Sequence, residues 1–351
     1  MNALRPAAFA IPGDIETLTG GFIYERRLLE GLRAQGRDVD HLQLPESFPD
    51  PSAAEMAAAV AQLQAVAADR VLILDGLVFG AIETAGLARV RAPILAMVHH
   101  PLALETGLDP ARRDHLFRTE RDNLRLVRHI LVPSRHTRDT LVARYGVEPA
   151  RITIARPGID RPRLRPARVT PPLILSVGIL HPRKGHDVLI DSLSRIADLD
   201  WKAVIVGNPW HRGHAAELAD LAARTGLGDR LRLAGRVGAD ELQRLYAAAS
   251  IFALATRFEG HGIVFDEAVS HGLPIVSTTA GAVPDTVPEG AGLLCPPDDA
   301  AAMADALRTM LTRPERREAM AQAARIAART LPGWSDTAQI AGGVIDGPVF
   351  D

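Results

Sequence analysis

Residues Arg257 to Val276 read RFEGHGIVFDEAVSHGLPIV. Glu259 and Glu267 stand eight positions apart, with Gly260 and Gly262 between them. Glycine lacks a Cβ, so the backbone there can turn tightly and approach a ligand closely. From Ile263 the apolar spacing predicts a helix over 263–270, and the apolar run after it predicts a strand over 274–277. Gly262 and Ile263 then lie at the amino end of the helix, where unpaired N–H groups and the dipole favour an anion such as a diphosphate. At ~1.5 Å per helical residue, the backbones of the two glutamates are up to about 12 Å apart. That is too far for an acid–base dyad, and it suits two carboxylates gripping hydroxyls at opposite ends of one long ligand. Taken alone, the pattern also describes an ordinary glycine-rich loop with one surface glutamate and one on a helix. The surrounding sequence decides between the two.

The same alternation of short apolar runs and longer amphipathic stretches extends in both directions. Strands are predicted over 7–11, 39–44, 71–75, 94–98, 130–132 and 152–155, with helices over 22–35, 53–67, 81–89, 111–127 and 137–145. Pro157 to Pro172, PGIDRPRLRPARVTPP, has no apolar period and reads as a linker. The alternation then restarts, with strands over 173–177, 203–206, 231–234, 251–254, 274–277 and 292–294. Helices follow over 186–196, 214–225, 240–249 and 263–270, and then over 300–311, 314–329 and 334–345. Apolar strands separated by helices predict parallel sheets covered on both faces. The expected organisation is a first domain over 1–160, a linker over 161–172 and a second domain over 173–330. Residues 331–351 form a closing helix whose expected position is back against the first domain. Ligands of doubly wound sheets bind at the carboxyl ends of the strands, so two such domains facing each other across a cleft are the expected architecture.

Composition agrees. At ~150 residues per domain, 351 residues make about two domains. The chain is 47% hydrophobic and 23% charged, which excludes disordered and collagen-like chains. The net charge of −2 lacks the basic excess of a protein that grips nucleic acid. Cys295 is the single cysteine, which excludes an intrachain disulfide and a multi-cysteine zinc site and suits a reducing cytoplasm. No run reaches the ~18 apolar residues of a membrane span. Pro6 interrupts the amino-terminal stretch and Asp14 and Glu16 follow it, so it does not read as a signal peptide.

The second half resembles the family-4 retaining glycosyltransferases of GT-B fold (glycosyl transferases group 1). Their signature pairs a glutamate, a glycine-containing turn and a helix bearing a second glutamate with G-[LT]-P-[VI]-V. Here those are Glu259, Gly260–Gly262, Glu267 and Gly272–Val276. Three further blocks agree and stand in the right order: SVGILHPRKGHDVLIDSL from Ser176, LYAAASIFALAT from Leu245 and GAVPDTVPEGAGLLCPPDD from Gly281. The resemblance implies that Glu259 holds hydroxyls of a donor sugar and Glu267 holds the ribose hydroxyls of its nucleotide. It also implies that amides near His261, Gly262 and Ile263 receive phosphate or sugar oxygens, and that Lys184 pairs with the diphosphate. A lysine and a helix amino end together stabilise a leaving diphosphate without a metal. One departure stands out. Many members carry an arginine after the strand glycine, but here Ile179 follows Gly178. Arg183, beside Lys184, is the candidate replacement.

In the first half, Gly20 and Gly21 precede an amphipathic helix, and the resemblance brings them close to the donor. The strand over 94–98 runs into His99-His100-Pro101. The family often has a histidine here, near the donor sugar; register favours His99, with His100 second. Ser134 reads as a helix cap. Arg112 to Arg128 is arginine-rich but interleaved with Asp114, Glu120 and Asp122. It fits a solvated helix face, or a face that meets anionic lipid or an acidic acceptor as a peripheral membrane contact. The D-x-D at Asp38-Val39-Asp40 falls at the start of a strand, away from the expected ligand end.

The expected activity is therefore retaining transfer of a sugar from a nucleoside-diphosphate sugar to a hydroxyl acceptor (a glycan, glycolipid or small metabolite). The resemblance implies a same-face mechanism, an α-glycosidic product, no cofactor and no obligatory metal. The rival readings are a GT-B epimerase or hydrolase of nucleotide sugars and a catalytically silent nucleotide-sugar-binding subunit.

Overall fold

The structure, a computed structural model, describes residues 4–210 and 212–350, without the side chain of residue 212. Residues 1–3 of the amino-terminal stretch and residue 351 of the closing segment lie outside this description. The chain forms two compact units: one runs to Gly158 and resumes at Pro332, and the other is Ile159–Leu331.

The first unit has strands β1 (Ala7–Pro12), β2 (Val39–Leu44), β3 (Val71–Asp75), β4 (Ile94–Met97), β5 (His129–Val132) and β6 (Ile152–Ile154). They form one sheet in the order β2-β1-β3-β4-β5-β6. Every pairing is parallel, with Ala7 opposite both Val39 and Val71. Strands β1, β3, β4 and β5 are buried along their whole length, so they read as continuous apolar runs and not as alternation. The helix Gly20–Ala34 buries Tyr24, Leu28, Leu29 and Leu32, one face at helical spacing.

Where one helix is expected over 81–89, the chain instead has two short helices, Gly76–Ala81 and Thr84–Leu87. The Asp75 side chain accepts through Oδ1 from the amides of Leu77 and Val78, at 2.9 and 3.2 Å, and so starts a helix directly at the end of β3. The closing helix Trp334–Ile345 lies on Gly20–Ala34. A Cβ on Gly31 would come within 2.5 Å of the Ala338 Cβ, so the close approach requires glycine. Beyond that contact, buried Arg37 donates to both carboxylate oxygens of Asp346, at 2.8 and 2.7 Å.

The second unit has β7 (Leu173–Val177), β8 (Lys202–Val206), β9 (Leu231–Gly235), β10 (Ile251–Leu254), β11 (Ile275–Thr278) and β12 (Gly292–Cys295). They form a second parallel sheet in the order β12-β11-β10-β7-β8-β9. Residues 161–172, read as linker, run along this unit. Arg168 donates to the carbonyls of Tyr246 and Ala247 at 3.0 and 3.1 Å and to that of His271 at 2.9 Å. These carbonyls end the helices Ala239–Ala248 and Ile263–Ser270, where a cation satisfies unpaired oxygens and opposes the dipole.

In both sheets the strand order reverses at one place, between β1 and β3 in the first and between β7 and β10 in the second. Loops leaving the carboxyl ends of adjacent strands diverge there and open a crevice.

Candidate active site

In the second unit, β7 and β10 flank the reversal. The chain leaves β7 through Gly178 and turns through Pro182–Lys184 into the helix His186–Ser194. Gly185 has φ 63°, and a Cβ there would sit 1.9 Å from the carbonyl oxygen of Ala255. Only glycine lets this turn lie against the exit of β10. The Lys184 stem lies across Gly178, whose Cβ would meet its Cδ at 3.3 Å. Lys184 Nζ then donates to Glu259 Oε1 at 2.6 Å, and Thr256 Oγ1 donates to the same oxygen at 3.0 Å. Arg183 donates to the Phe258 carbonyl at 3.0 Å, and its guanidinium stands 3.7 Å from Glu259 Oε2. Arg257 grips both oxygens of Asp187 at 3.0 and 2.7 Å, tying the β10 loop to the helix that follows β7.

Glu259 and Lys184 are both buried. Burial pushes the Glu259 carboxyl up, but the Lys184 and Arg183 charges and the hydrogen bonds from Lys184 and Thr256 outweigh it. The carboxyl is held below its usual range, and Glu259 is an ionised carboxylate at neutral pH.

The helix Ile263–Ser270 begins at Gly262, whose φ of 85° is left-handed. The His261 side chain turns inward: Nε2 lies 2.6 Å from Asp266 Oδ2, and its carbonyl accepts from Thr286 Oγ1 at 2.8 Å. At Gly262 and Ile263 the first amides of the helix have no intrahelical acceptor. Glu267 accepts from the Tyr246 hydroxyl through Oε2 at 2.8 Å, while Oε1 has no hydrogen-bond partner among the described residues. Burial pushes the Glu267 carboxyl up to about 7, against the Tyr246 hydrogen bond and with help from the charges of Asp160 and Asp266.

In the first unit, β1 and β3 flank the reversal and β4 is next. Gly20 and Gly21 open the helix Gly20–Ala34, and a Cβ on Gly21 would lie 3.7 Å from the His99 ring. His99 Nε2 is 3.2 Å from Glu25 Oε1. The Tyr24 ring meets His99 edge-on at 5.4 Å, and Thr137 Oγ1 donates to the His99 carbonyl at 3.2 Å. His100 instead faces Glu105, 3.3 Å away. Glu25, Asp75 and His99 place their ligand-type atoms within 4.8 Å of one another. Those atoms face each other and the Leu77 and Val78 amides, as in an internal hydrogen-bond network.

Sequence reasoning gave no role to Thr256, Tyr246, Glu25 or Asp75. Asp75 had a local signal, an acid followed by glycine at a strand end. Thr256 lies three positions before Glu259 on the same loop, while Tyr246 and Glu25 are brought in by the packing of their helices. Ser134 caps its helix, Oγ accepting from Thr137 N at 3.1 Å. The D-x-D acids Asp38 and Asp40 pair with Arg70 at the amino end of β2. A second D-x-D, Asp198-Leu199-Asp200, precedes β8, with Asp198 held by Arg308. Along the arginine-rich stretch, Arg112 pairs with Asp50, and Arg121 and Arg125 with Asp122. Among the described residues no helix is long and apolar enough to cross a membrane.

Two six-stranded parallel sheets, each with glycine-bounded loops and charged side chains at its reversal, define a two-domain α/β protein of GT-B class. The model of the family described as Glycosyl transferases group 1 matches residues 162–327, and that of Glycosyltransferase Family 4 matches residues 43–163. The two matches adjoin and together span residues 43–327, so both halves of the chain resemble glycosyltransferases of this group. The chain is 33% identical over 232 residues to the D-inositol 3-phosphate glycosyltransferase of Kineococcus radiotolerans, a match covering 58% of this chain and 53% of that one. The chain thus spans about half the length of the relatives it matches. Sucrose-phosphate synthase from Thermosynechococcus elongatus superposes with a TM-score of 0.83 at 21% identity, covering 97% and 98% of the two chains. Anabaena HepE, solved in complex with UDP and glucose, superposes with a TM-score of 0.76 at 17% identity, covering 98% and 99%.

Proposed function

We propose that the protein is a retaining glycosyltransferase that moves a sugar from a nucleoside-diphosphate sugar to a hydroxyl acceptor and forms an α-glycosidic bond. The observation that carries this reading is the buried Lys184–Glu259 pair, set between the loops of β7 and β10 beside the amino end of the helix Ile263–Ser270. An exposed surface pair would need no such setting. Lys184, with Arg183 beside it, meets the diphosphate, and Glu259 meets sugar hydroxyls. Glu267, held by Tyr246 on one oxygen, offers the other to the ribose hydroxyls. The Gly262 and Ile263 amides receive phosphate or sugar oxygens. His99, with Gly20 and Gly21, belongs to the sugar end of the reaction. Positive charge fixed before the bond breaks stabilises the leaving diphosphate without a metal. The departing phosphate takes the acceptor proton on the same face, so no side chain serves as base.

UDP, bound in the HepE structure, is the first nucleotide to test, and an inositol phosphate, named in the relatives, is one acceptor to test beside glycans and glycolipids. Calorimetry against UDP, GDP, ADP and CMP tests the donor site. The expected result is clear preference for one nucleoside diphosphate, weakened by Glu267→Ala. Glu259→Ala and Lys184→Ala are each expected to lose at least roughly tenfold in transfer. Full transfer by both folded variants, or nucleotide affinity unchanged by Glu267→Ala, overturns the assignment. Donor consumption that no acceptor accelerates points instead to an epimerase or hydrolase.

A further inference from the structure

We propose that Glu25 and Asp75 are positioning residues for His99: they hold one proton between them and fix the ring with its own proton on Nε2, leaving Nδ1 as acceptor for a substrate hydroxyl. The proposal rests on the reading that His99 works at the donor sugar. Glu25 stands in the second turn of the helix Gly20–Ala34, Asp75 ends β3, and His99 follows β4. Because β1, β3 and β4 are neighbours in the sheet, three residues far apart in sequence converge. Glu25 is 1% and Asp75 2% exposed. Two carboxyl groups so close and so dry do not both ionise, so one proton stays with the pair.

The geometry says where that proton sits. Asp75 Oδ1 accepts from the Leu77 and Val78 amides, which leaves Oδ2 to carry it toward Glu25. Burial and the Glu25 charge push the Asp75 carboxyl well above its usual range, while Glu25 rises to about 7. Above that pH Glu25 is the carboxylate, and its Oε1 lies 3.2 Å from His99 Nε2. Burial holds His99 below the usual imidazole range, so the ring is neutral with a single N–H. Against a carboxylate, the nitrogen that bears the proton is Nε2. Tyr24, edge-on, and Gly21 flank the ring, and Thr137 fixes the backbone beneath it.

The test is nitrogen-15 spectroscopy of histidine-labelled full-length protein at alkaline pH. A proton-bearing Nε2 and an acceptor-type Nδ1 are expected for His99. In Glu25→Gln, Asp75 donates to the amide oxygen and the amide N–H faces Nε2, so the ring proton is expected to move to Nδ1. Transfer is expected to fall about tenfold, the low end for removing such a supporting partner. Nucleotide affinity, set in the other unit, stays unchanged. Asp75→Asn, which keeps both the cap and the donor to Glu25, recovers most of what Asp75→Ala loses. A wild-type ring proton on Nδ1, no tautomer change in Glu25→Gln, or equal loss in Asp75→Asn and Asp75→Ala overturns the proposal. Full transfer by His99→Ala with the tautomer results as expected would instead remove the role of His99 and leave the positioning intact.

Discussion

Replacing Lys184 and Glu259 singly and together separates what their pair does for stability from its proposed role toward the donor. Lys184→Met keeps the stem that crosses Gly178 but removes the charge 2.6 Å from Glu259 Oε1. The carboxylate it leaves is 4% exposed. Removing one member of a buried ion pair costs about 3–5 kcal/mol, because the survivor stays desolvated and uncompensated. The low end, about 3 kcal/mol, applies here, since Arg183 at 3.7 Å and the Thr256 hydroxyl still face the carboxylate. Glu259→Gln keeps the shape and strands the ammonium, at a similar cost. The double variant buries two neutral groups, so its loss falls short of the sum of the singles by about 1–3 kcal/mol. Glu259 is held below its ordinary value of 4.5, so the contribution of the pair is full above that pH and disappears as pH falls through the lower folded value. Urea unfolding of the four proteins at neutral pH reads these differences. Transfer behaves otherwise: both singles and the double lose at least roughly tenfold, because the double restores burial without restoring either charge. Additive losses of stability would refute the coupling. A double variant that regains transfer along with stability would show that the pair only holds the loops in place.

Two further pH effects follow from buried acids. Nucleotide binding through an ionised Glu267 is expected to tighten as pH rises through about 7; Tyr246→Phe removes the hydrogen bond that lowers this value and moves the calorimetric midpoint upward. A midpoint unmoved by Tyr246→Phe excludes that coupling. Glu120 is fully buried, and desolvation raises its carboxyl from 4.5 to about 8, an effect that the nearby Tyr145 hydroxyl and Leu102 backbone offset only in part. The folded state therefore holds a proton that the unfolded chain releases, and stability declines between those two pH values by a few kcal/mol. Glu120→Gln keeps the shape without the proton and is expected to flatten that decline in denaturation curves at pH 5 and at alkaline pH; an equal slope in both proteins refutes it.

The strands were legible because both faces of each central strand are covered, leaving unbroken apolar runs such as Val71–Leu74 and Ile251–Leu254. Gly76–Ala81 was not legible for the same reason: a helix buried on nearly every side has no polar face and hence no period, and its start depends on the one side chain of Asp75. The segment 161–172 read as linker because proline and arginine erase periodicity. The contacts that tie it down, from Arg168 to carbonyls at two helix ends, belong to no local pattern.

The candidate site divides along the same line. Glu259, Gly262 and Glu267 share one loop and one helix, so spacing alone sets them close together. Lys184 lies 75 positions from Glu259, and Glu25 lies 74 from His99. Each pair is joined only because strand order reverses: β7 is set beside β10, and β1 beside β3, by crossings that sequence periodicity does not encode. At a reversal, consecutive loops leave in opposite directions, and the strand ends between them are the one part of the sheet rim that no crossover connection covers. A charged group placed there stays beside the crevice and needs its partner from the neighbouring strand. The same topology accounts for two buried clusters, a lysine on a carboxylate in one unit and a histidine on a carboxyl pair in the other, built from unrelated residues at equivalent places in two sheets.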